Sequence, residues 1–171
     1  MNKLFLVDAY SIIYRAYYAL MRSPRINSKH FNTSAVFGFV NILNDVLSND
    51  ELTHIAVAFD PATPTFRHND FPQYKANRDA APEDIHLSVP IIKQIVSAMN
   101  IPIVEADGFE ADDVIGTLAH QAAQKGFEVY MLTPDKDYCQ LVTDKIKIYK
   151  PRYGEGVYDV YDMVHEDDLS I

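Results

Sequence analysis

The chain has 171 residues, room for one ordinary domain with a core of useful size. Hydrophobic residues make up 48% and charged residues 23%, a composition that folds rather than stays disordered. Fifteen Lys and Arg stand against 24 Asp and Glu, which excludes a polycation that holds nucleic acid by bulk charge. The charge is uneven: residues 1–80 hold 8 basic and 7 acidic residues, residues 81–171 hold 7 and 17, and a site with both signs stays open. No apolar run approaches the roughly 18–20 residues that span a bilayer, and the N-terminal apolar run meets Asp8 too soon for a signal peptide. The single cysteine, Cys139, can form neither an internal disulfide nor a zinc site alone. It reads as a small buried hydrophobe, and a reducing cytoplasm is the expected compartment.

Lys3–Val7 is a short apolar run ending in Asp8 and reads as a buried strand. Ser11–Met21 has helical spacing, Ser23–Asn32 is a polar loop, and Ser34 is placed to cap a helix over Ala35–Leu47. His54–Phe59 is a second buried strand, ending in Asp60. Pro61–Pro82 is too long for an ordinary connection and mixes Phe66, Phe71 and Tyr74 with Arg67, Lys75 and Arg78; such loops are functional or mobile. A helix runs from Pro82 to about Met99, with Glu83 and Asp84 where the dipole favours them. Ile101–Val104 is a third strand, Asp107-Gly108 a turn, Glu110–Lys125 a helix closed by Gly126, and Phe127–Leu132 a fourth strand. A short helix, a strand at Ile146–Tyr149 and a hairpin through Tyr153–Tyr161 complete the chain. Alternating strands and helices predict an α/β fold, a mostly parallel sheet covered on both faces.

Aspartates follow three of the strands: Asp8, Asp60, and Asp135 with Asp137. In a parallel sheet these positions share the carboxyl edge, where such folds hold ligands. Glu110, Asp112 and Asp113 open a helix that starts from the same edge. Seven carboxylates gathered together repel one another unless a divalent cation joins them, and all-oxygen ligands suit Mg2+ or Mn2+. The six histidines show no local zinc pattern. Each aspartate alone also reads as a cap or turn residue. Lys75 and Arg78 would share one side if that segment is helical. With Arg67 and the interleaved aromatics they fit single-stranded nucleic acid, although the same residues also read as solvated or packed. Arg15, beside Tyr14, is placed either to reach a phosphate or to pair with a carboxylate.

Several stretches resemble the 5′ nuclease family of flap-endonuclease type, closest to the N-terminal 5′→3′ exonuclease domain of bacterial DNA polymerase I. They are Phe5-Leu6-Val7-Asp8 with Tyr14-Arg15-Ala16-Tyr17, Ala58-Phe59-Asp60 with Thr65-Phe66-Arg67, Tyr74-Lys75-Ala76-Asn77-Arg78, Gly108 through Ala119, and Thr133-Pro134-Asp135-Lys136-Asp137. The resemblance implies a PIN-like fold and a nuclease that removes 5′ flaps and primers from DNA, with two Mg2+ or Mn2+ ions in the complete domain. It makes Asp8, Asp60, Glu110 and Asp112 ligands, directly or through water, with Asp113, Asp135 and Asp137 completing the cluster. It makes residues 61–82 an arch inserted in one catalytic subdomain, with Lys75 and Arg78 facing the scissile phosphate and Tyr74 at the adjacent nucleotide. The implied partners are DNA with a free 5′ end or flap and a following polymerase region. Two departures are visible: Ala9 and Tyr10 stand where the family has Gly and Ser, and the helix–three-turn–helix element with two further aspartates would follow residue 171. The alternatives are a PIN-like ribonuclease, a fragment that only binds metal and nucleic acid, and a phosphatase, against which Tyr10 stands where a second aspartate is needed.

Overall fold

Alternation along the first strand sets the two faces of the sheet. The structure, a computed structural model, describes residues 2–76, 80–154 and 157–164. β1 (Lys3–Asp8) sends Phe5 and Val7 into one hydrophobic core and Leu6 into another, as the two-residue period of a strand requires. It pairs in parallel with β2 (His54–Ala58) on one side and β4 (Glu128–Leu132) on the other. β3 (Ile103–Val104) joins β2 and β5 (Ile146–Gly154) joins β4, both in parallel. β6 (Val157–Val164) closes one edge antiparallel to β5, giving the order β3-β2-β1-β4-β5-β6. The mostly parallel α/β sheet expected from the sequence is present, and its final hairpin has longer arms than Tyr153–Tyr161.

α1 (Ala9–Ala19), α2 (Ser34–Leu47) and α4 (Glu83–Ala98) cover the first core with Ile12, Ile13, Phe39, Leu43, Ile85 and Ile92. α5 (Ala111–Gln124) covers the second with Ile115 and Ala119. Burying each large apolar side chain contributes roughly 1.5–3 kcal/mol. With both faces covered, the strands can be near-continuous apolar runs. Among the described residues no helix is long and apolar enough to cross a membrane.

Five local expectations change. α1 starts at Ala9 rather than Ser11, because the Asp8 side chain caps it by accepting the Ser11 N–H at 3.2 Å. Ser34 does not cap α2. Its hydroxyl accepts the Arg25 N–H at 2.8 Å and ties the preceding loop down, while the Asn32 side chain accepts the Ser34 N–H at 3.1 Å. The 61–82 stretch is not irregular throughout: α3 (Phe66–Asp70) forms there, its start closed by a reciprocal Thr65–His68 capping box. Lys75 has φ 58°, in the left-handed region, so it is not on a helix that could carry Arg78 on the same side, and Arg78 lies outside the described residues. Cys139 is half-buried against the second core rather than fully buried.

α1 and α2 approach closely at Gly38, where a Cβ would stand 2.6 Å from Ala16 Cβ. Gly38→Ala is therefore expected to destabilise the chain by about 1–3 kcal/mol, despite the ~1 kcal/mol by which alanine favours a helix. The check is a lowered urea midpoint at unchanged slope, partly restored by adding Ala16→Gly.

Candidate metal and nucleic-acid site

From β1 the chain builds outward through β2 and β3, then α5 carries it back past β1 to β4. The carboxyl ends of β1 and β4 flank this reversal of strand order, the place where open α/β sheets hold ligands. Six of the seven carboxylates line one cleft of about 550 Å³ there: Asp8, Asp60, Glu110, Asp112, Asp135 and Asp137. Asp113 lines a neighbouring cleft of about 580 Å³, whose wall is shared with the first through Asp112, Asp137 and Tyr138.

Each carboxylate is held by a specific local device. Asp8, buried at the end of β1, accepts from Ser11 Oγ at 2.6 Å and from the buried Thr133 Oγ1 at 3.2 Å. Thr133 Oγ1 also accepts the Asp135 N–H at 3.1 Å, linking the ends of β1 and β4. Asp60, just after β2, accepts the Ala111 N–H at 2.7 Å and so sits on the N-terminus of α5, where the helix dipole favours an anion. Glu110 is the N-cap of α5 and forms a reciprocal capping box with Asp113. Asp135 accepts the Asp137 N–H at 3.0 Å, and both residues are exposed.

The 61–82 stretch brings its cations and one tyrosine to the start of α5. Lys75 Nζ donates to Glu110 Oε1 at 2.8 Å, and Tyr74 Oη donates to Glu110 Oε2 at 3.1 Å. Arg67 binds both oxygens of Asp113, at 2.6 and 2.7 Å, in the fork geometry that suits a guanidinium. Asp113, expected from the resemblance to complete the ligand cluster, is thus committed to Arg67 and to the Glu110 N–H at 3.0 Å. Its carboxylate is an arginine partner and helix cap in this arrangement, and it lines the second cleft rather than the first. Arg15 is half-buried on α1 and does not line the cleft, whereas Tyr14 does. Tyr10 also lines it, packed edge-on against Phe59, so bulk does stand beside Asp8.

Three residues here carry weight that the sequence reading did not give them. Thr133 bridges Asp8 and Asp135; its only signal is a hydroxyl directly after an apolar strand. The Tyr138 hydroxyl is buried beside Asp8, close enough to interact but outside good hydrogen-bond geometry. Burial, with Asp8 adding to it, pushes that hydroxyl far above the usual tyrosine range. His68 lines the cleft, with Nδ1 2.8 Å from Thr65 Oγ1.

The acidities divide by partner. Burial holds the Asp8 carboxyl above its usual range, and burial with neighbouring Asp113 and Glu110 does the same to Asp112. Arg67 holds Asp113 below it. For Lys75, burial pulls the ammonium down, but bonding to Glu110 outweighs this and the net shift is upward. The donor set is all oxygen, which fits a hard divalent cation. Among the described residues no three such side chains form a ready-made cage.

Residues 3–168 match the family described as 5′-3′ exonuclease, N-terminal resolvase-like domain. The chain belongs to this family. DNA polymerase I of Bacillus caldotenax is 42% identical over 180 residues, covering 99% of this chain and 20% of that protein. DNA polymerase I of Treponema pallidum is 42% identical over 147 residues, covering 86% of this chain and 15% of that protein. This family member therefore spans a fifth or less of the length of these relatives. Among solved structures, the T5 D15 protein co-crystallised with metal ions is similar at TM-score 0.67 and 19% identity, over 87% of this chain and 55% of that one. Human GEN1 in complex with Holliday junction DNA is similar at TM-score 0.59 and 14% identity, over 98% and 39%. At these identities the two structures establish the shared fold, the PIN-like 5′ nuclease architecture named from the motifs.

The opposite acidities predict opposite stability effects. A carboxyl raised above its unfolded value costs stability while ionised, and the cost disappears as pH falls through the raised folded value. Asp8→Asn keeps the cap and removes a buried charge, so at pH 7 with a chelator its thermal midpoint should rise by about 2–4 °C. That advantage should shrink as the pH is lowered. Asp113→Asn should lower the midpoint at pH 7, because a depressed carboxyl stabilises the fold above its unfolded value. Its deficit should vanish only as pH falls through the lowered Asp113 value. Thermal melts of both variants between pH 7 and pH 3 check the two signs.

Proposed function

We propose that this chain is the catalytic subdomain of a divalent-metal-dependent 5′ nuclease acting on DNA at free 5′ ends and flaps, leaving a 5′-phosphate and a 3′-hydroxyl. The observation that carries this reading is the convergence of six carboxylates from four chain segments on one cleft at the sheet's switch point. Membership of the exonuclease family and the relatedness to DNA polymerase I support it. Asp8, Asp60, Glu110, Asp112, Asp135 and Asp137 would hold Mg2+ or Mn2+, directly or through water, with two ions in the complete domain. Bound there, such ions supply polarisation of the phosphodiester and of the attacking water. Asp113, whose carboxylate holds Arg67 in this arrangement, would complete the ligand cluster. Lys75 and Arg78 face the scissile phosphate, where their charge opposes the negative charge that grows on the phosphoryl oxygens. Tyr74 contacts the nucleotide beside the cut, and residues 61–82 form the arch over the strand. The physiological setting is primer removal and repair in the cytoplasm, with a polymerase region on the same polypeptide.

The test is cleavage of end-labelled 5′-flap DNA with Mg2+ and then Mn2+, alongside single-stranded RNA of the same sequence. The reading expects flap cleavage that exceeds RNA cleavage. Asp112→Asn should lower it by at least about a hundredfold, and Lys75→Ala by on the order of 10²–10³, the usual effect of losing one transition-state cation or donor. Preference for RNA would favour the PIN-like ribonuclease. Strand binding without turnover under either metal would favour the binding-only alternative.

A further inference from the structure

Two phenylalanines from separate segments meet beside the cleft and remain open to solvent. Phe66 opens α3 and is 40% exposed; Phe109 precedes Glu110 and is 49% exposed. Their ring centroids lie 5.6 Å apart with the planes tilted by 53°. The segments are joined by backbone: the Phe66 N–H donates to Gly108 O at 2.8 Å. Phe109 is held by a turn in which its own N–H donates to Ala106 O at 3.1 Å. Gly108, third in that turn, has φ 82°, a conformation that costs glycine little and other residues much. The Arg67 guanidinium stands 4.6 Å from the Phe66 ring centroid and is pinned there by Asp113. Arg67 thus covers one side of Phe66, and the pair has fixed geometry with aromatic surface to offer.

The position narrows what could cover it. Thr65 and His68, on either side of Phe66, line the carboxylate cleft, and Arg67 lines the neighbouring one. Phe109 is bonded in sequence to Glu110, whose carboxylate is buried in the first cleft. Neither ring lines these two clefts, but both belong to segments whose adjacent residues do. Two half-exposed rings offer roughly 200 Å², far below the about 800 Å² per partner of a stable protein interface. That area does match one or two nucleobases, whose flat faces stack on aromatic rings irrespective of sequence. Arg67, held against Phe66 by Asp113, is the cation beside the rings.

We propose that Phe66 and Phe109 form a stacking platform for an unpaired base of the strand that enters the cleft, a substrate-positioning role for Phe109 in particular. This rests on the nucleic-acid reading above. The platform would act on any base, fixing the strand's advance toward the carboxylates without reading sequence.

The chain contains no tryptophan, so Phe109→Trp introduces a single indole reporter at the platform. A short labelled oligothymidylate is titrated with Ca2+ present to neutralise the carboxylate cleft, with anisotropy reporting binding and indole emission reporting stacking. A second strand of the same length carries abasic sites in place of bases. The proposal expects the thymidylate to quench the indole and the abasic strand to bind without quenching. Phe109→Ala should weaken thymidylate binding on the order of tenfold while leaving abasic-strand binding unchanged. It is overturned if Phe109→Ala binds both strands as the parent does, or if the indole is unquenched while anisotropy shows the thymidylate bound. Self-association in sedimentation that Phe109→Ala abolishes would also overturn it, in favour of a protein contact. If the parent chain binds neither strand, the nucleic-acid reading falls and the platform with it, an outcome separable from loss of the platform alone.

Discussion

Repulsion between carboxylates gathered at one edge of the sheet is the constraint that the rest of this structure answers. Two like unit charges 4 Å apart cost about 1 kcal/mol in water and about 4 kcal/mol at the effective dielectric of a protein surface. The chain meets that cost with helix ends and with cations. Asp8 caps α1, while Asp60 and Glu110 both sit at the N-terminus of α5, each facing the partial positive charge of a helix start. Arg67 answers Asp113 and Lys75 answers Glu110. The acidities record where this succeeds: Arg67 draws Asp113 down, whereas burial with Asp113 and Glu110 keeps Asp112 raised, and Asp8 is raised by burial. The unrelieved charge lies in the cleft, where a cationic ligand would relieve it.

α5 concentrates these duties. Its first residues seat Asp60 from the end of β2, bury Glu110, present Asp112 to the cleft and give Asp113 to Arg67. Its later residues, Ile115 and Ala119, fill the second core against Leu6 and Met131 of β1 and β4. The same helix also carries the chain back across the sheet to β4, which creates the switch point. Folding and site formation are therefore one event at this helix, and a substitution in its first turn acts on stability and on the cleft together.

The sequence made the sheet and the carboxylates legible because both obey short-range rules. Apolar runs ending in aspartate mark buried parallel strands, and strand ends of one direction share an edge. What it did not show depends on distant segments meeting. That Arg67, 46 residues away, binds both oxygens of Asp113 has no signal in the sequence around either residue. The left-handed Lys75 has no sequence signal, since nothing in Tyr74-Lys75-Ala76 requires it. Ser34 has the residue type of a cap, but Asn32 two residues earlier reaches its N–H and frees the Ser34 hydroxyl to hold Arg25. Phe109 is legible as the end of an Asp107-Gly108 turn, yet its contact with Phe66 exists only because two loops are bonded through Gly108.

Lys75 shows how closely the two halves of the proposed chemistry depend on one another. Its ammonium carries one charge, and at 2.8 Å from Glu110 most of that charge is balanced locally. Field lines that end on a buried carboxylate do not reach a phosphate in the cleft. For Lys75 to stabilise charge growing on a phosphoryl oxygen, the demand of Glu110 must be met by another cation. A divalent ion among the carboxylates is the cation of the right charge and ligand preference. The assignment of Glu110 to metal and the assignment of Lys75 to phosphate therefore stand or fall together. Tyr74, whose hydroxyl also donates to Glu110, is tied to the same exchange.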